Sequence, residues 1–193
     1  MPEAAPGCAA ENGTRLALRP PRVVYSATRT PMATQARRHI TWADIERLVG
    51  GLLPRIGTSY DHLLVITRGG MVPACLISER TGLRDILCAA VVLYQGEERA
   101  LAEPVFVQFP EDRLVEGRRI LVVDDVWDSG STAMAVRDRL RKAGADAQVC
   151  VLHYKPGNSR FPADGPDFYG EETDAWIVYP WDPALPLPTS SPS

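Results

Sequence analysis

Three carboxylates, Asp124, Asp125 and Asp128, stand in the stretch VVDDVWDSGST (residues 122–132), which runs on into Ser129, Gly130, Ser131 and Thr132. The second half suits an anion. At the start of a helix the backbone N–H groups lack intrahelical partners, the helix dipole is positive, and here hydroxyls stand beside them. The first half repels an anion, but carboxylates accept hydrogen bonds from vicinal hydroxyls and take Mg2+ directly or through water. Together the halves fit a ligand with hydroxyls on one side and a phosphate on the other, as in a ribose 5-phosphate. The plainer alternative, that the acids cap a turn and Ser131 caps a helix, leaves so dense a run of acids unexplained. The loop has no P-loop lysine, and its acids lack the spacing of haloacid-type phosphatases.

Arg68-Gly69-Gly70, Lys155 in HYKPG and Trp176 in DAWIVYPW are further candidates. Taken singly each has an ordinary reading: a strand-to-helix turn, a solvated surface lysine and a core tryptophan. Their weight comes from the elements that carry them. LLVIT (63–67) reads as a buried strand leading into RGG and then a helix to about Thr81. RRILVVDD (118–125) is a second strand, followed by a helix from about Ser131 to Lys142 that Gly144 stops. AQVCVLHY (147–154) and ILCAAVVLY, ending at Tyr94, complete the apolar runs. Upstream, Thr41 with Asp44 resembles a capping box, and Trp42, Ile45, Leu48, Val49, Leu52, Leu53 and Ile56 fall at helical spacing. Continuous apolar strands alternating with helices predict an α/β fold, a mainly parallel sheet covered on both faces. Ligands bind such sheets beyond the carboxyl ends of the strands, which places RGG and DDVWDSGST on one rim.

The chain of 193 residues and 21.2 kDa is long enough for one domain. Residues 1–38, rich in Ala, Pro and Arg, are predicted to be a disordered leader, with a transit peptide or a plain solvated extension both open; the Pro- and Ser-rich residues 183–193 are predicted to be a disordered tail. A net charge of -3 and a pI near 5.6 give no footprint for a nucleic-acid backbone. No apolar run approaches the roughly 20 residues needed to cross a bilayer, and no secretory signal opens the chain, so the expected compartment is the cytoplasm. Cys8, Cys75, Cys88 and Cys150 show no CxxC spacing, and the last three are predicted to be reduced core thiols.

VVDDVWDSGST resembles the phosphoribosyl-pyrophosphate motif of the type I phosphoribosyltransferases. ITWADIERL, VITRGGMVPACLISERTGLRDI, VLHYKPG and DAWIVYPWD resemble, in order, segments of the xanthine-guanine members. The likeness covers roughly residues 39 to 182 and implies the type I phosphoribosyltransferase fold, with a small C-terminal hood over about 154–182. By that resemblance Asp124 and Asp125 bind the ribose hydroxyls with Mg2+ nearby, and Ser129, Gly130, Ser131 and Thr132 wrap the 5-phosphate. Asp128 sits near N7 of the purine and assists proton removal. Arg68, Gly69 and Gly70 form the pyrophosphate loop, where a non-proline cis peptide is usual. Lys155 reads the 6-oxo group of the base, since an ammonium donates well to a carbonyl and poorly to an exocyclic amine. Trp176 stacks on the base, and the backbone of Ile177 meets its edge. The segment between Tyr94 and Asp112 corresponds to a mobile flap over the reacting centre, a plain surface hairpin being the alternative.

The implied reaction is Mg2+-dependent transfer of a phosphoribosyl group from phosphoribosyl pyrophosphate to a 6-oxopurine (xanthine, guanine or hypoxanthine), in purine salvage. The implied assembly is a dimer or tetramer. Two other readings stay open at this point: a phosphoribosyltransferase for a non-purine acceptor in specialised metabolism, and a non-catalytic regulator that senses phosphoribosyl pyrophosphate.

Overall fold

The computed structural model describes residues 36–93 and 104–182. In chain order the elements are β1 (Arg37–His39), α1 (Trp42–Ile56), β2 (His62–Ile66), α2 (Met71–Thr81), β3 (Ile86–Val92), β4 (Val105–Gln108), α3 (Asp112–Val115), β5 (Arg119–Trp127), α4 (Ser131–Lys142), β6 (Asp146–Tyr154), a 3-10 turn (Pro156–Asn158), β7 (Phe168–Glu172) and β8 (Trp176–Val178). The expected tail, the centre of the expected flap, Cys8 and nearly all of the expected leader lie outside the described residues.

Six strands form the main sheet in the order β4-β3-β2-β5-β6-β7. All neighbours run parallel except β3 and β4. Because strand side chains alternate between faces, the continuous apolar runs supply two cores. Leu63, Val65, Leu121, Val123, Cys150 and Leu152 face α1 and α2. Leu64, Ile66, Ile120, Val122, Val149 and Val151 face α4, which presents Ala133, Val136 and Leu140. At about 1.5–3 kcal/mol for each fully buried aliphatic side chain, this double burial fixes the register of β5 between β2 and β6.

The capping box forms as the sequence predicts. Asp44 N–H donates to Thr41 Oγ1 at 3.2 Å, and Thr41 N–H donates to Asp44 Oδ2 at 3.0 Å. Trp42 departs from the predicted apolar face: it is 54% exposed and meets the Trp181 ring at 6.0 Å instead of entering the core. Cys75 likewise is exposed on α2, so of the three predicted core thiols only Cys150 is fully buried; burial pushes its thiol up to about 12.

Two strands escaped the sequence reading. β7 adds FYGEE to the sheet edge beside β6. β1 pairs in parallel with β8, Arg37 to Trp176 and His39 to Val178, so Arg37 and Arg38, assigned to the leader by composition, belong to ordered structure. Arg38 then forms a bidentate ion pair with Glu171 of β7. Among the described residues no helix is long and apolar enough to cross a membrane.

RGG follows β2, the acids lie two residues before the end of β5, and Lys155 follows β6. The parallel strands therefore deliver all three to one rim of the sheet.

Candidate active site

Asp124 and Asp125 are the last acids of β5 before Val126 and Trp127. Both keep some solvent contact, yet protein surrounds most of each carboxylate. Desolvation comes first in holding Asp124 well above the usual carboxylate range, followed by repulsion from Asp125; the backbone N–H groups of Asp125 and Gly70 offset this in part. Desolvation also pushes Asp125 up to about 6, and Asp182 adds to the rise. A carboxylate pair held in this way is short of positive charge and of hydrogen-bond donors. Its oxygens are the donor type Mg2+ takes, and among the described residues no group of three or more His, Cys, Asp or Glu encloses an ion. That donor set fits a cation that keeps water and substrate oxygens in its shell.

The RGG loop lies directly on this pair. A Cβ on Gly69 would stand 2.5 Å from Asp125 Cγ, and one on Gly70 would stand 2.2 Å from the Val123 carbonyl oxygen. The glycines are thus required by the approach of the loop to β5. The Thr67–Arg68 peptide is cis, as the resemblance implies for this loop, and Arg68 is exposed at its tip. Gly70→Ala is expected to destabilise the fold by about 3 kcal/mol, because the obstacle is sheet backbone that cannot rotate away. Urea unfolding of the variant beside Gly69→Ala, whose obstacle is a side chain, measures the difference.

At the other end of the loop Gly130 caps α4 with φ 77° and offers no side chain of its own, while Ser129 Oγ accepts from the Ser131 N–H at 3.4 Å. A Cβ there would stand 2.3 Å from Trp127 Cε2, so the indole of Trp127 needs the glycine as well. Ser129 Oγ lies 3.2 Å from Ser131 Oγ. The first N–H groups of α4 lack intrahelical partners, and the hydroxyls of Ser129, Ser131 and Thr132 stand in the same stretch of chain.

Asp128 lies between the two acids and the start of α4, beside Lys155. Lys155, only 4% exposed, holds its Nζ 3.9 Å from Asp128 Oδ2. The same Nζ stands 5.8 Å from the centre of the Trp176 ring. Ile177, the next residue, packs its side chain into the core. Trp176 N–H donates to Ala36 O, and Val178 O accepts from Ile40 N–H. Strand alternation therefore turns the Ile177 N–H and C=O to the opposite edge, away from β1.

Three supporting residues were not legible beforehand. Asn158 donates from Nδ2 to Asp128 Oδ1 at 2.8 Å. Tyr179 donates its hydroxyl to the Asp125 carbonyl oxygen at 2.9 Å and lies 2.9 Å from His153 Nδ1. Since the single phenolic proton goes to Asp125, His153 carries its proton on Nδ1 and donates to Tyr179. Burial drives the His153 pKa down to about 4, so the imidazole stays neutral at pH 7 and the chain that fixes the Asp125 backbone is intact there. The parallel stack of Tyr179 on Trp181, 4.6 Å between centres, holds the phenol in place.

Residues 37–186 match the family described as phosphoribosyl transferase domain. The xanthine-guanine phosphoribosyltransferase of Gluconobacter oxydans is 34% identical over 164 residues, 82% of this chain and 92% of that protein. The one from Idiomarina loihiensis is 30% identical over 146 residues, 74% and 85% of the two chains. Among solved structures, a purine phosphoribosyltransferase from Pyrococcus horikoshii superposes with a TM-score of 0.65 at 28% identity, covering 78% of this chain and 96% of that one. A Neisseria gonorrhoeae protein solved with bound ppGpp gives 0.67 at 29% identity, covering 79% and 93%.

Proposed function

Because the chain belongs to the phosphoribosyltransferase family, we propose that the site described above carries out phosphoribosyl transfer to a 6-oxopurine. The enzyme joins a purine base to phosphoribosyl pyrophosphate, forming the nucleoside 5-monophosphate and releasing pyrophosphate, a reaction of purine salvage. The observation that carries the site assignment is the single loop that packs its acidic end on Gly69, opens its glycine-serine end at α4, and holds Asp128 between them beside Lys155, whose ammonium in turn faces the Trp176 ring.

Asp124 and Asp125 accept the ribose 2- and 3-hydroxyls and are the residues that would hold Mg2+, which when bound screens the charge of the departing pyrophosphate. Ser129, Gly130, Ser131 and Thr132 receive the 5-phosphate, while Arg68, Gly69 and Gly70 receive the pyrophosphate. These contacts fix C1 in line with the attacking purine nitrogen, and positioning of this kind supplies much of the rate. Trp176 stacks on the base, Lys155 donates to its 6-oxo group, the free backbone edge of Ile177 meets its rim, and Asp128 accepts the purine proton.

The test is an assay with Mg2+ and phosphoribosyl pyrophosphate against xanthine, guanine, hypoxanthine and adenine, with products separated chromatographically. Monophosphates from the three oxopurines and none from adenine are expected. Lys155→Ala should lower kcat/KM for the oxopurines by about 10- to 100-fold, the worth of a charge-assisted hydrogen bond, without creating adenine activity. Undiminished oxopurine turnover by that variant would shift the choice of base away from Lys155.

A further inference from the structure

Resting on the assignment of Asp128 as the proton acceptor, we infer that Asn158 is a positioning residue, one that keeps Asp128 from closing onto Lys155. Asp128 stands on a half-exposed loop with two rotatable side-chain bonds, beside an ammonium at 3.9 Å. Left to those two groups alone, Coulomb attraction would draw the carboxylate into a closed ion pair, since the buried ammonium is poorly screened by solvent at this range. A closed pair would engage both side chains that the base needs. Lys155 would point at Asp128 instead of at the 6-oxo oxygen, and Asp128 would turn from the purine nitrogen.

The amide of Asn158 supplies the opposing pull. Its Nδ2 donates to Oδ1 at 2.8 Å, while Lys155 faces the other oxygen, Oδ2. A carboxylate only accepts, so the amide nitrogen and not its oxygen must face Asp128. Donors on different oxygens favour one plane of the carboxylate, and the bond from Asn158 resists its approach to the ammonium.

Asn158 is itself held on the acidic loop. It ends the turn Pro156–Asn158, where its N–H donates to Lys155 O at 3.1 Å. On either side the segment is laced to the loop: Lys155 N–H donates to Trp127 O at 2.9 Å, Trp127 Nε1 to Ser159 Oγ at 3.1 Å, and Arg160 N–H to Ser129 O at 3.0 Å. These bonds place the Asn158 amide independently of Asp128. Its side chain is exposed and enters no core, so replacing it removes the tether and little else.

The experiment is steady-state kinetics and thermal melting of Asn158→Ala, Asn158→Asp, Asp128→Asn and the double variant N158A/D128N, with hypoxanthine as acceptor. Asn158→Ala should lower kcat by about tenfold, the effect of a misdirected reacting group, with KM for phosphoribosyl pyrophosphate within about twofold and an unchanged melting temperature. Asn158→Asp should lose more, since it sets a second carboxylate against the first. In the Asp128→Asn background the Asn158→Ala change should cost nothing further, because the group it positions is gone. Wild-type kcat in Asn158→Ala, or an equal loss in both backgrounds, would overturn the inference. Full turnover by Asp128→Asn alone would instead remove the proton-acceptor assignment beneath it.

Discussion

Asp128→Asn is expected to lower turnover by about a thousandfold while leaving phosphoribosyl pyrophosphate binding within a few-fold of wild type, the signature of a lost general base. Asparagine has nearly the shape of aspartate and keeps one acceptor oxygen, so the loop and its bond to Asn158 can persist. What it cannot do is take a proton. The ribose and phosphate contacts come from Asp124, Asp125 and the start of α4, and none of these passes through the Asp128 side chain. Single-turnover measurements with saturating phosphoribosyl pyrophosphate, beside calorimetric titration of that substrate, separate the two quantities. Equal losses in binding and turnover would make Asp128 a structural member of the loop and not its reactive group.

How far such a site can be read in advance depends on whether its logic is local. The capping box at Thr41 and Asp44, the helix Ser131–Lys142 and the buried strands were legible because each is specified by neighbours a few residues apart. The acidic loop was legible for the same reason: its acids, glycine and hydroxyls are contiguous. β1 was not, since Arg37–His39 carries no apolar signal and exists by pairing with a strand about 140 residues later in the chain. β7 was hidden for a similar reason, with a glycine and two glutamates in an edge strand whose pairing to β6 decides its state. Asn158 reads as one more polar residue in a turn, and only the lacing of that turn to Trp127 and Ser129 brings its amide to Asp128. Tyr179 reads as one more aromatic residue in DAWIVYPW until its hydroxyl is placed on the Asp125 carbonyl.

Asp125→Asn should act in opposite directions on binding and on stability. Asparagine carries no charge to hold Mg2+ and accepts more weakly from ribose hydroxyls, so affinity for phosphoribosyl pyrophosphate should fall by more than about a hundredfold. The unliganded protein should nevertheless become more stable at neutral pH. Burial raises Asp125 in the folded chain to about 6 from its ordinary 3.8, so between these two values the folded protein binds more protons than the unfolded one. Stability referred to this group is therefore complete below about pH 4 and is lost as pH rises through about 6, where the carboxylate ionises in a poorly solvated place. Removing it should return on the order of 1–2 kcal/mol at pH 7.5, allowing for the solvent contact it keeps, or roughly 3–6 °C in melting temperature, and almost nothing at pH 4. The same ionisation serves binding, since only the carboxylate form attracts a cation and accepts from two hydroxyls; affinity for phosphoribosyl pyrophosphate with Mg2+ should rise from pH 5 to 7 and then level. Urea unfolding at pH 7.5 and 4, with and without ligand, measures both effects. A variant that loses binding without gaining stability at pH 7.5 would mean that the Asp125 charge is already compensated in the unliganded fold, whereas a gain that disappears at pH 4 ties the cost of the buried acid to the binding of its ligand.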